Sequence, residues 1–113
     1  MMYTISEQYF LNIASSEINM GGSSCIHKGL NGDIVGKSEK QAFDKWYHYD
    51  NSGNKLGYSI VGTAHWYHYD NSGNEIGHSN EGFLGRFDHY DNSSNCLGYS
   101  ILQYGYKWSH SLK

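Results

Sequence analysis

Polar and apolar side chains alternate along this chain in one short phrase that keeps returning. Trp46-Tyr47-His48-Tyr49-Asp50 is followed by the polar run Asn51-Ser52-Gly53-Asn54 and then by Lys55-Leu56-Gly57-Tyr58-Ser59. A period of two marks strands, and a polar run containing glycine between two such segments marks a turn, so the phrase predicts a β-hairpin. It recurs at Trp66 to Ser79 and at Phe87 to Ser100, and the histidines His27, His48, His68, His89 and His110 fall 20 or 21 residues apart. Repetition at such a period is architectural and takes precedence over any single motif.

A fainter copy comes first, with Cys25-Ile26-His27-Lys28-Gly29 matching the first half and Val35-Gly36-Lys37-Ser38 the second. The fifth copy is divided between the chain ends: Trp108-Ser109-His110-Ser111-Leu112 supplies its first half, and Ile13-Ala14-Ser15-Ser16 its second. The repeats thus lie at about 25–38, 46–59, 66–79 and 87–100, with a split copy from 108–113 and 12–16. A linear array would need capping repeats. Complementary ends instead predict an all-β ring of five hairpins, propeller-like and pseudo-five-fold, closed by pairing the N- and C-terminal strands so that no sheet edge is left open.

Placing Asp50 opposite Lys55 pairs Tyr49 with Leu56, His48 with Gly57, Tyr47 with Tyr58 and Trp46 with Ser59. The pleat then separates two faces. Trp46, His48, Gly57 and Ser59 lie on one, where an aromatic residue (cysteine in the first copy) stands opposite serine, and histidine opposite glycine or alanine. Large groups alternating with small ones on this nearly invariant face suit close packing. Tyr47, Tyr49, Leu56 and Tyr58 lie on the other face, which becomes Ile26, Lys28, Val35 and Lys37 in the first copy.

At 113 residues the chain is one domain, and 14 glycines, 11 tyrosines and no proline suit short strands joined by tight turns. A net charge of −3 gives no basic footprint for nucleic acid. No stretch has the length or pattern of a membrane span or a secretory leader, which makes the cytoplasm the expected compartment. Cys25 and Cys96 fall in hairpins that are not neighbours in a five-membered ring, so reduced thiols are expected rather than a disulfide.

The pattern His-Tyr-Asp-x-x-Gly-x-x-x-Gly-x-Ser, repeated to make five units, resembles the small bacterial proteins called five-fold beta-flower proteins. The resemblance runs from about Ile13 to Leu112 and implies a ring of five hairpins. It brings no established activity with it. Gly29, Ser94 and Leu112 depart from the pattern at the Asp, turn-Gly and Asp positions and put local turn geometry in question.

Histidines invite a metal reading, yet five ligands spaced evenly about an axis match no ordinary zinc or copper geometry, and no His-Glu-x-x-His pair is present. We therefore expect no metal and no cofactor, and we read His27, His48, His68, His89 and His110 as structural groups bonded to backbone or serine, with an axial anion or water site as the alternative. Buried and neutral, they would have lowered pKa values. Paired with Asp50, Asp70 and Asp91 two residues further on, three of them would have raised ones. No phosphate loop, nucleophile elbow or pair of acidic residues points to catalysis, and a triply repeated His-Tyr-Asp speaks for architecture rather than an enzyme.

Tyrosine offers large, rigid contact area with a polar tip, which favours interfaces. Tyr47, Tyr49, Tyr58, Tyr67, Tyr69, His78, Tyr90 and Tyr99 share the variable face, and they are the candidate surface for a macromolecular partner, a protein above all, as for a small phage or bacterial inhibitor or accessory protein. The alternative is a lectin-like ring that takes carbohydrate or another small polar ligand at repeated sites, by analogy with five-bladed tachylectin-type lectins.

Overall fold

In a computed structural model, described here for residues 14–42, 44–83, 85–104 and 107–112, the chain is ten antiparallel strands closed into a barrel. The strands are β1 (Ser15–Ile18), β2 (Ser24–Lys28), β3 (Ile34–Ala42), β4 (Lys45–Asp50), β5 (Lys55–Val61), β6 (His65–Asp70), β7 (Glu75–Glu81), β8 (Arg86–Asp91), β9 (Cys96–Tyr104) and β10 (Lys107–Leu112). Each pairs with its neighbours in sequence, and β1 closes the sheet by pairing with both β2 and β10. Asn12, Ile13 and Lys113, the outermost parts of the split repeat, lie outside the described residues. The rest of that repeat pairs as its siblings do, since Ser16 faces Trp108 just as Ser59 faces Trp46, and the His110 amide donates to the Ala14 carbonyl (2.9 Å). Among the described residues no helix is long and apolar enough to cross a membrane.

The two faces fall as the alternation predicts. Cys25, Trp46, Trp66, Phe87 and Trp108 form one buried apolar layer inside the barrel, with Ile18, Val61 and Leu102 packed against it. The Phe87 ring meets Trp66 at 5.3 Å and Trp108 at 5.2 Å between centroids, both steeply inclined, the geometry that ring quadrupoles favour. The next layer along the barrel is polar and also buried, and consists of the five repeat histidines with Ser16, Ser38, Ser59, Ser79 and Ser100.

The predicted register holds from Trp46 to His48 and then slips. Tyr49 pairs with Lys55, not with Leu56, and Asp50 does not face Lys55. The turn sets this odd count. The Asp50 amide donates to the Asn54 carbonyl (2.9 Å) and the Gly53 amide to the Asp50 carbonyl (3.1 Å), while Asp50 Oδ1 accepts from the Ser52 and Asn54 amides, both at 2.9 Å. A loop closed between Asp50 and Asn54 leaves one residue too many before Gly57, and a β-bulge at Leu56 absorbs it. The same shift occurs in the other three complete hairpins. Gly29 lacks the aspartate side chain, yet its loop keeps the backbone bonds Gly29 N–H to Asp33 (2.9 Å) and Gly32 N–H to Gly29 (3.0 Å), and Asn31 takes over by binding Asp33 through both backbone and side chain.

Gly53 and Gly73 sit at φ +89° and +86°, and Ser94, which stands in their place in the fourth hairpin, is held at φ +67°. A residue with a Cβ is strained there. Ser94→Gly is expected to raise stability by about 1 kcal/mol, because relief of strain outweighs the extra freedom glycine gives the unfolded chain. The urea midpoint should rise at unchanged m-value; a fall would mean that the serine side chain holds this turn.

Candidate functional site

The barrel brings the five repeat histidines together in a closed hydrogen-bonded circuit with the five serines of the same layer. His48 shows the rule: its Nδ1 lies 2.6 Å from Ser38 Oγ, directly opposite on β3, and its Nε2 lies 2.8 Å from Ser59 Oγ on β5. Ser59 then meets His68 Nδ1 (2.7 Å), whose Nε2 meets Ser79 (2.8 Å). Ser79 meets His89 Nδ1 (2.6 Å), whose Nε2 meets Ser100 (2.7 Å). Ser100 continues to His110 Nδ1 (2.6 Å), His110 Nε2 to Ser16 (2.6 Å), Ser16 to His27 Nδ1 (2.5 Å) and His27 Nε2 back to Ser38 (2.8 Å). The glycine opposite each complete hairpin's histidine now has a reason. His48 faces Gly57 but bonds Ser59 two residues along on the same face, so its ring leans past a position that is kept small, glycine in the complete hairpins and Ala14 in the split one.

Counting hydrogens fixes the chemistry of this layer. A neutral imidazole has one N–H and one bare nitrogen, and a serine has one O–H that both donates and accepts. Five of each supply ten hydrogens for the ten contacts between them. All ten are satisfied only when every histidine carries its proton on the same nitrogen and every hydroxyl points the same way round. One histidine in the other tautomer would leave some serine between two bare nitrogens with a single hydrogen to offer. An added proton has no acceptor in the circuit.

Burial opposes such a proton as well. Loss of hydration pushes His27, His89 and His110 down to about 3, with the neighbouring His110 acting on His89 and His27 on His110 in the same direction. His48 and His68 are also held well below 6.5, first by burial and then by neighbouring histidines. The alternative pairing with the aspartates does not form. Asp50, Asp70 and Asp91 are held below the usual carboxylate value, first by the backbone amides of Asn54, Asn74 and Asn95, inside their own turns. Among the described residues, Cys25 and Cys96 are not joined in a disulfide.

The outer face carries the tyrosines, and pairing across strands sets them in diagonal rows. Glu39, Tyr47, Tyr58, Tyr69 and Glu75 form one; Lys45, Ile60, Tyr67, His78, Tyr90 and Cys96 form the next. Tyr58 stacks on Tyr69 and His78 on Tyr90, each pair at 5.1 Å and 17°. Lys55 Nζ stands 3.7 Å from the Tyr47 ring centre and Lys45 Nζ 4.6 Å from that of Tyr58, so two lysines brace these rings. Tyr67 is 39 % exposed, and among the described residues no ring stacks on it. Tyr49 lies in an adjoining row between Lys37 and Lys55, and Tyr99 stands apart, opposite Asp88 and under the Arg86 guanidinium at 4.3 Å. Burial raises the phenol pKa values of Tyr49 and Tyr69, Glu39 and Glu75 respectively adding to it, so both stay protonated donors at neutral pH.

Sequence reasoning named serine as one of two possible partners of the repeat histidines, but not that each serine bridges two of them in a closed circuit. The signal was present, since a serine recurs with the histidine on the same face of every copy. Comparison of the chain with known protein families, with curated proteins and with solved structures gave no match.

Proposed function

We propose that the protein is a non-enzymatic binding module whose tyrosine-rich outer face engages a macromolecular partner, a protein in the first instance. One observation carries this reading: Tyr47, Tyr58, Tyr69, Tyr67, His78 and Tyr90 fill two adjacent rows across five consecutive strands, half-buried or exposed, several already fixed by stacking or by lysine. Rings held in place lose little freedom on binding and present both an apolar edge and a hydroxyl. The interior offers less for this role, because its histidines and serines bond one another and are buried from solvent. The repeated phrase and its closed barrel also agree with the resemblance to beta-flower proteins, and a small cytoplasmic accessory or inhibitory protein of bacterial or phage origin would fit.

Replacing Tyr47, Tyr67 and Tyr69 together by serine is expected to abolish capture of the partner from a host lysate while the melting temperature stays high enough for a folded protein at 25 °C. Trp46→Ser, by contrast, removes a ring only 1 % exposed from the apolar layer and should unfold the barrel, since loss of such a ring costs about 3–5 kcal/mol. Undiminished capture by the folded triple variant would reject the tyrosine face as the binding surface.

A further inference from the structure

Between the first and second complete hairpins the outer wall opens into a cleft of about 410 Å³, lined among others by Ile26, Ile34, Lys37, Asn51 and Gly53. The next seam around the barrel shows what the repeat normally puts there. Tyr58, the counterpart of Lys37, lies flat on Tyr69 and carries its hydroxyl over the turn glycine, 3.6 Å from where a Cβ on Gly73 would stand. Asn71, the counterpart of Asn51, donates its amide to the Lys55 carbonyl at 2.7 Å. The third seam repeats the stack with His78 on Tyr90. In the first seam the ring is replaced by Lys37, whose Nζ stands 5.8 Å from the Tyr49 ring centre and 3.4 Å from Glu39, and nothing lies within 4 Å of a Cβ built on Gly53. Asn51 makes no bond to the neighbouring strand among the described residues, and Ile26 and Ile34, at 43 % and 47 % exposure, replace Tyr47 and Lys55 as an apolar wall.

We infer that this cleft is a slot for a tyrosine side chain of a partner protein, which lies where Tyr58 lies one seam further on. The inference rests on the reading of the outer face as a protein-binding surface and adds where and how one anchor residue enters. Its ring would pack against Ile26, Ile34 and the methylenes of Lys37, and its hydroxyl would reach the turn at Gly53, with the Asn51 amide free to meet it.

The test uses the whole protein, with p-cresol and N-acetyltyrosinamide as probes, N-acetylleucinamide as control, and the variant Lys37→Tyr, which should fill the slot from within. Expected are saturable amide shifts centred on Ile26, Ile34 and Gly53 with both phenols, at least tenfold weaker with the leucine control. Lys37→Tyr should weaken phenol binding at least tenfold and raise the melting temperature by about 2–6 °C through the added stack. Shifts scattered over the barrel, equal binding of the leucine control, or unchanged phenol binding in Lys37→Tyr would each overturn the slot. Partner capture lost in the Tyr47/Tyr67/Tyr69 variant but unchanged in Lys37→Tyr would also overturn it while leaving the binding face standing.

Discussion

Acidification from pH 7 to pH 5.5 is expected to remove about 6 kcal/mol of folding stability and to unfold the barrel cooperatively with uptake of about five protons. The five circuit histidines have pKa values lowered in the folded state, to about 3 for His27, His89 and His110 and well below 6.5 for His48 and His68. A lowered histidine contributes fully above the unfolded value of about 6.5 and loses that contribution as pH falls below it, because the unfolded chain takes up protons that the folded chain refuses. One such site gives up about 1.3 kcal/mol over this interval, and five give up an amount comparable with the whole stability of a small domain, about 5–15 kcal/mol. The turn aspartates add nothing in this window, since their lowered values weaken the fold only below about pH 4. Denaturant midpoints at pH 8, 6.5 and 5.5, with tryptophan fluorescence as the signal, check the result. A flat profile, or one that rises on acidification, would refute a neutral circuit. In His89→Gln, where it folds, the proton uptake should fall by about one.

Deletion of residues 107–113 is expected to leave no folded monomer. The cut removes Trp108 from the apolar layer and His110 from the circuit, and it strips the partner strand from both β1 and β9. The aromatic ring alone is worth about 3–5 kcal/mol. Breaking the circuit leaves Ser16 and Ser100 each short of a partner inside a buried layer, about 1–3 kcal/mol apiece, and two open sheet edges invite aggregation. A synthetic peptide of residues 107–113 added in excess should restore part of the native near-ultraviolet spectrum. A truncated monomer that melts within a few degrees of the full chain would refute closure as a source of stability.

The parts of this fold legible in sequence were those that repeat at a fixed offset. Trp46, His48, Gly57 and Ser59 alternate with Tyr47, Tyr49 and Tyr58, so the inner and outer faces could be assigned by counting, and the divided fifth copy announced closure. The bulge at Leu56 was hidden because an aspartate-capped loop fixes its own closing pair, and a uniform register carried through to the turn misses the extra residue. The circuit was hidden for a different reason. Within a hairpin, histidine faces glycine and serine faces an aromatic residue or, in the first copy, Cys25; the pairing of Ser38 with His48 arises between hairpins. That register depends on connections such as Gly62 to Ala64 and Gly82 to Gly85, which share no common phrase. The cleft beside Lys37 required both kinds of information, since only the barrel shows what Tyr58 covers one seam away.

A single shared inventory of hydrogens also explains why all five units keep the same histidine and serine while their outer faces differ. Each histidine and each serine of the circuit holds a proton or a lone pair that another unit depends on, so no unit can alter either without stranding a group in the next. The outer positions carry no such debt to their neighbours. Tyr58, His78 and Lys37 can therefore occupy equivalent places with different chemistry, and an asymmetric surface can be written on a frame that the interior keeps five-fold.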